Sequence, residues 1–258
     1  MTDVKPMVVD LSHWDPAYDY DAVLEAGIVA CIYKATEGDG YTDPTYVEQQ
    51  AQAKEAGLLW GAYHFANAEP VMAQVDNFLR YAAPDPDELI CLDWEDYGSN
   101  TMSLDDVQAW ILAVEDALRR PGDVVLYSGN TAKEALGDEV NEFLGKRRLW
   151  LCQYGSSPVV QKSWDSYWLW QYTDGNYGPE PHEIPGVGPC DINSFPGTVE
   201  ELTSTWASGT PIPAPRPPLQ PSVSIIVAAS PGVLVKVRQT ALIQRLDRRV
   251  RRDTKEAR

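Results

Sequence analysis

The stretch ELICLDWEDYG, residues 88–98, sets four apolar residues in a row, Leu89–Leu92, directly ahead of two acids, Asp93 and Glu95. A short apolar run without alternation reads as a strand covered on both faces, the kind found in parallel sheets flanked by helices. The two-residue period of a strand sends Asp93 and Glu95 to one side and Trp94 to the other. Outward from this stretch the same kind of run recurs. It appears at Met7–Leu11, Val29–Tyr33 and Leu59–Phe65 before it, and at Val124–Tyr127, Leu149–Tyr154, Tyr167–Tyr172 and Val187–Ile192 after it.

Helical stretches fall between the early runs. Asp43-Pro44 offers an N-cap and a first-turn proline for a helix that stops at Gly57. Ser103 with Asp106 resembles a capping box ahead of Leu104, Val107, Ile111, Val114 and Leu118, and Pro121-Gly122 closes that segment. Segments 20–26, 70–82 and 131–144 also read as helices. Strand–helix alternation carried to eight strands predicts an α/β chain folded as an irregular β/α TIM-like barrel, with a doubly wound open sheet as the alternative. The later repeats lack room for full helices: little chain separates Tyr154 from Tyr167, and 173–186 is rich in Gly, Pro and acids.

The 258 residues divide by composition. Residues 1–209 hold 11 Lys and Arg against 35 Asp and Glu, net −24, whereas residues 210–258 hold 10 against 3, net +7. The expected organisation is a catalytic barrel over 1–209, a proline-rich linker over 210–222 and a basic apolar tail over 223–258. The linker, with six prolines in residues 211–222, reads as an extended spacer. In the tail, Leu242, Leu246 and Val250 are spaced by four among five arginines, so that stretch is expected as a basic amphipathic helix or a short hairpin. A barrel this acidic repels nucleic acid, and contact with an anionic membrane, lipopolysaccharide or a virion protein falls to the tail. No basic start followed by an apolar run marks a Sec signal, so synthesis in the cytoplasm is expected. Cys31, Cys91, Cys152 and Cys190 lack metal-type spacing, and the first three sit in apolar runs as buried thiols.

The chemistry gathers at the strand ends. MVVDLSHWD puts Asp10 where the first strand opens into its loop, VGPCDINSF puts Asp191 at the end of the last, and GAYHF turns Tyr63 and Phe65 to one face with His64 on the other. In a β/α barrel the C-terminal strand ends carry the active site. Asp10, Asp93, Glu95 and Asp191 would there form an acidic cup lined by aromatic rings, in a chain with 9 Trp and 13 Tyr against only 4 Phe. Crowded carboxyls push one another's pKa upward, which supplies an acid near neutral pH. Glycoside hydrolysis needs such an acid at the leaving oxygen and a second group that meets the positive charge at the sugar carbon.

The same pieces resemble the glycoside hydrolase family 25 lysozymes, the Chalaropsis-type N-acetylmuramidases. VVDLSHWD, IYKATEGDGYTDP, GAYHF, LDWED, VLYSG, LWLCQY, YWLWQY and CDINSF occur in family order over residues 7–195, about three quarters of the chain. The resemblance implies cleavage of the β-1,4 bond between N-acetylmuramic acid and N-acetylglucosamine in bacterial peptidoglycan, with no cofactor. It implies Glu95 as general acid and base, and Asp93 as the group that polarises the substrate's 2-acetamido, which attacks from within the sugar and gives net retention. Asp10 and Asp191 would tune the acids and bind sugar. Tyr63 would line the cleft, with Lys34, Tyr127, Gln153, Trp170 and Gln171 as further substrate-binding candidates. Asp15 stands where the family commonly has Gln or Asn, an added carboxylate expected to raise pKa values near Asp10.

Lys34 and Glu37 read as an ion pair at the cup wall, and His64 as a satisfied wall residue. His13, His64 and His182 show no HExxH spacing, which argues against a zinc hydrolase, and Tyr127-Ser128-Gly129 is no nucleophile elbow. A missing export signal together with a basic tail suggests a phage lysin. The competing function is a wall-binding or virion structural module with an idle barrel.

Overall fold

The computed structural model describes residues 4–207 together with Ile226–Ala228 and Leu234–Lys236. Its eight barrel strands are β1 (Val8–Leu11), β2 (Ala30–Glu37), β3 (Leu59–Phe65), β4 (Leu89–Asp93), β5 (Val125–Ser128), β6 (Leu149–Cys152), β7 (Leu169–Asp174) and β8 (Asp191–Ser194). Each of the first six pairs in parallel with the next, and β8 pairs antiparallel with both β7 and β1, so the sheet closes. The open doubly wound sheet is thereby set aside. A two-residue strand, Tyr41–Thr42, pairs antiparallel with the end of β2.

Among the described residues six helices accompany the strands: α1 (Tyr20–Glu25), α2 (Tyr46–Ala56), α3 (Val71–Ala82), α4 (Leu104–Leu118), α5 (Asn130–Leu136) and α6 (Val199–Ser204). Asp19 caps α1 and Ser103 caps α4, each by accepting from a first-turn backbone N–H. Asp43 does not cap α2, whose N-cap is Thr45. Its carboxylate instead accepts from Thr45 on one oxygen and from the backbone and ring of His13 on the other. The helix expected over 131–144 stops at Leu136, because Gly137 takes a backbone conformation outside the helical region, and the chain regains only a 3₁₀ turn at Leu144–Lys146.

No helix separates β6 from β7 or β7 from β8. A parallel return needs a crossover long enough to span the sheet, usually a helix, whereas a hairpin-like return gives an antiparallel strand. Residues 175–190 hold a small hairpin, Glu183–Ile184 against Gly188–Pro189, and the last strand comes back reversed. The apolar run Val187–Ile192 is therefore mostly hairpin, and Asp191 opens β8 where the sequence suggests that it ends it.

The core has two layers. Outside the barrel, Val9, Leu11, Tyr33, Trp60, Ala62, Leu92 and Trp94 pack against Val107, Trp110, Ile111 and Val114 of α4 and the other helices. Inside, Val8, Ala30, Ile32, Leu89, Cys91, Val125, Trp150 and Leu169 fill the lower barrel, and Leu202 and Trp206 cover its base. Trp206 is tied there by its indole N–H to the Trp60 carbonyl at 2.8 Å. Gly61 faces inward on β3, where a Cβ would come within 3.0 Å of the Leu89 Cβ; its absence admits Leu89 and Ile32 to the interior.

The chain divides into two units, Met1–Ile212 and Pro213–Arg258. Within the second, Ile226–Ala228 pairs antiparallel with Leu234–Lys236. The proline spacer over 210–222 and the basic amphipathic stretch Ala241–Arg252 lie outside the described residues. Among the described residues no helix is long and apolar enough to cross a membrane.

Candidate active site

At the C-terminal ends of the parallel strands the inward positions change character. Asp10 on β1, Lys34 on β2, Tyr63 and Phe65 on β3, Asp93 on β4, Tyr127 on β5 and Asp191 on β8 line one cleft together with Ser12, Trp14, Glu95 and Trp150. Its volume is about 180 Å³. Sites that engulf a whole small molecule run to about 300–1,000 Å³, so this cleft has the size of a station along a longer groove. All four acids expected at the strand ends meet here, and Trp94 points the other way, buried in the outer core with its indole N–H on the Met102 carbonyl. The reversal of β8 brings Asp191 to the mouth from the start of its strand, directly opposite Asp10 in the ladder.

Asp10 is buried and held by amides. Gln171 Nε2 donates to both of its oxygens at 2.9 and 3.1 Å, and Asn193 Nδ2 donates to one at 2.7 Å. Burial and, after it, the charge of Asp15 lift its carboxyl to about 7 against the pull of Asn193 and Gln171. Asp191, hydrogen-bonded to Asp10, is pushed up to about 10 by burial and by the charges of Asp10 and Asp15. Two carboxyls in contact cannot both ionise cheaply, so the pair holds on to a proton, and Asp191 is the more strongly raised of the two. Asp15 is thus an electrostatic partner of both, fixed by Ser12, whose backbone N–H and hydroxyl donate to its Oδ1 at 2.9 and 3.1 Å.

Asp93 and Glu95 form the second acidic pair. Burial and the charge of Glu95 raise Asp93 well above the usual carboxyl range, and its Oδ1 is buried without a hydrogen-bond partner. Burial also raises Glu95, opposed by the Tyr127 hydroxyl and by Lys34. Lys34 reaches Glu37 at 2.6 Å and lies over the Phe65 ring at 4.9 Å, so it is both an ion-pair partner and a cleft wall. Tyr63 is half-buried in the cleft and kept a neutral phenol by desolvation and by Asp93. His64 sits outside the cleft between Thr36 at 2.7 Å and Gln74 at 3.0 Å, and burial pushes it down to about 4. It is a satisfied wall residue.

Two sequence candidates lie elsewhere. Trp170 faces outward from β7 into the outer core, because the strand period that turns Leu169 and Gln171 inward turns it away. Gln153 spends its amide on Lys133, Ser157 and Val159, which braces the loop after β6. Gln171 sits behind the cleft, joining Asp10 to Tyr127 and Tyr154. Sequence reasoning passed over Trp14, whose ring lines the cleft while 84% exposed, and over Asn193, hidden in the strand CDINSF. An aromatic residue four positions after a strand-end acid is the signal that would have found Trp14. Among the described residues no group of three or more His, Cys, Asp or Glu side chains is arranged to hold a metal ion.

Comparison with known proteins points one way. Residues 9–180 match the model of "Glycosyl hydrolases family 25". Lysozyme M1 of Streptomyces globisporus is 30% identical over 209 residues, covering 75% of this chain and 69% of that protein. An N,O-diacetylmuramidase of a Chalaropsis species is 29% identical over 185 residues, covering 64% and 86%. The crystal structure of a bacterial lysozyme from Streptomyces coelicolor superposes with a TM-score of 0.68 at 29% identity, over 79% of this chain and 98% of that one.

Proposed function

The chain belongs to the glycosyl hydrolases of family 25, and from that premise we propose that Glu95 is the acid and base with which it cuts the β-1,4 bond between N-acetylmuramic acid and N-acetylglucosamine. It is a glycosidase of the lysozyme class and a hydrolase of peptidoglycan. Four acids gathered in one open cleft favour a working site over the idle wall-binding module. The observation that carries the assignment of roles is the meeting of Asp93 and Glu95 with the Asp10–Asp191 pair in a single open cleft.

The buried and unpartnered Asp93 Oδ1 is an acceptor in want of a donor, and the N–H of a sugar 2-acetamido group is one. A donor placed there favours the ionised form of Asp93 and leaves the proton of the pair on Glu95. Glu95 gives that proton to the leaving glycosidic oxygen as the C1–O bond breaks, while the acetamido oxygen bonds to C1 from the other face. Water then attacks C1, Glu95 takes its proton, and the acetamido leaves, so the anomeric configuration is retained. Asp10 and Asp191 hold the field of the cleft and offer hydrogen bonds to sugar hydroxyls. The exposed face of Trp14, backed by the His13 ring at 4.5 Å, is a platform on which a sugar ring stacks.

The test is release of reducing ends from purified peptidoglycan. Glu95→Gln is expected to lose about 10²-fold or more, the range of general acid catalysis, and Asp93→Asn to lose heavily as well. Wild-type rates in Glu95→Gln would defeat the assignment. For residues 210–258, net charge +7 against −24 for residues 1–209 supports a role in reaching anionic envelope surfaces, as a phage lysin would need. Truncation after Thr210 should then spare cleavage of isolated peptidoglycan and weaken attack on intact cells; equal attack by both forms would refute it.

A further inference from the structure

The hydrogen bonds behind the cleft have a direction. Asn193 is fixed at both ends: its Oδ1 meets the Trp150 indole N–H at 2.6 Å, which only donates, and its Nδ2 meets the Val8 carbonyl at 3.3 Å, which only accepts. Its donation to Asp10 follows. Gln171 also donates to Asp10, which leaves Gln171 Oε1 to accept from two phenols, Tyr127 at 2.7 Å and Tyr154 at 2.8 Å. A phenol has one proton. With the Tyr127 proton on Gln171, its oxygen has only lone pairs to offer the Glu95 carboxyl that it contacts. A Tyr127 proton turned to Glu95 favours the carboxylate, so the hold of Gln171 on that proton keeps Glu95 the weaker acid.

We propose that Gln171 is a positioning residue for the reaction: it holds the Tyr127 hydroxyl turned away from Glu95 while Glu95 is an acid, and releases it to Glu95 once Glu95 is a carboxylate. Release is cheap because Tyr154 stays on Gln171 Oε1 as a second donor. The inference rests on the reading of Glu95 as acid and base. In the first step the Glu95 proton goes to the leaving oxygen, which keeps the C1–O electron pair, and Tyr127 rotates about its C–O bond without giving up its own proton. In the second step Glu95 takes a proton from the attacking water and Tyr127 swings back. Other groups face Glu95 or Tyr127 throughout: Lys34 from β2, Asp93 at the end of β4, the Cys152 thiol from β6 and the Trp150 ring, its centroid 4.5 Å from that of Tyr127. Burial pushes Cys152 up to about 12, so it remains a neutral thiol. These surroundings are common to the variants that follow.

The basic limb of the kcat/KM profile for reducing-end release reports the acid in the free enzyme. Gln171→Leu removes the competing acceptor, so Tyr127 turns to Glu95 for good, the carboxylate is favoured, and the limb should move to lower pH by about half to one unit. Tyr154→Phe removes the spare donor, so Tyr127 is held harder and the limb should move to higher pH. The double variant should follow Gln171→Leu. Limbs that stay in place or move in the same direction would overturn the proposal. Tyr154→Phe is a conservative change at a partly exposed ring, so if Gln171→Leu fails to fold, an unmoved or lowered limb in Tyr154→Phe overturns it alone. Glu95→Gln measured alongside separates the two levels. If it is inactive and the limbs do not diverge, only the role of Gln171 falls; if it retains activity, the acid assignment falls and takes this proposal with it.

Discussion

Along β4 the inward side chains are Leu89, Cys91 and Asp93, and along β1 they are Val8 and Asp10; one step up the strand separates hydrocarbon from carboxylate. The lower half of the barrel interior is apolar and closed at its base by Leu202 and Trp206. The upper half buries acids whose pKa values burial itself drives upward. The same pleat that builds the core therefore builds the site. The lower half earns the stability that the upper half spends on chemistry.

Damage to the lower half should have the largest effect on stability and little on the site. Trp206→Ala opens the base of the barrel and is expected to cost about 3–5 kcal/mol in a urea melt, with the rate per folded molecule near wild type. Reciprocal behaviour is expected of Glu95→Gln, whose loss of about 10²-fold or more in rate should come with a melting temperature equal to or above wild type. Removing a raised acid at the mouth should stabilise. Folded Asp191 keeps a proton to about pH 10 that the unfolded chain releases near pH 4. The favourable contribution from that proton is complete below about pH 4 and is lost as pH climbs toward the folded value. Asp191→Asn is thus expected to gain about 1–3 kcal/mol at pH 8 and nothing near pH 4, while losing activity. A melt at both pH values reads this directly. The smallest effect belongs to the rim: Trp14→Ala should raise KM about three- to tenfold with kcat and melting temperature unchanged.

Much of this contrast was written plainly in the sequence. Unbroken apolar runs announced strands covered on both faces, and the step from Leu92 to Asp93, Trp94 and Glu95 gave the facing of each side chain, since strand period is geometric and tolerates no compromise. The strand reversal at β8 left no such mark. Direction is set by the connection, and the hairpin at 183–189 has strands two residues long, too short to carry a pattern. The amides of Gln171 and Asn193 were obscured for a related reason: a buried polar residue inside an apolar strand looks like an interruption until its partners are known. Those partners come from other strands, and no local window contains them. Trp170 misled because a tryptophan beside a functional glutamine shares its segment but not its face.

Asp10 finds its amide donors 161 and 183 positions further along the chain. Closing a circle with the last strand means that a nascent polypeptide carries Asp10, Asp93 and Glu95 long before it carries Asp191 and the amides that hold Asp10 in register. Up to the synthesis of residue 194, the unfinished product has no mouth at all. A cell that makes a wall-cutting protein is in this way spared a half-built blade: competence arrives late, together with the final stave of the cask.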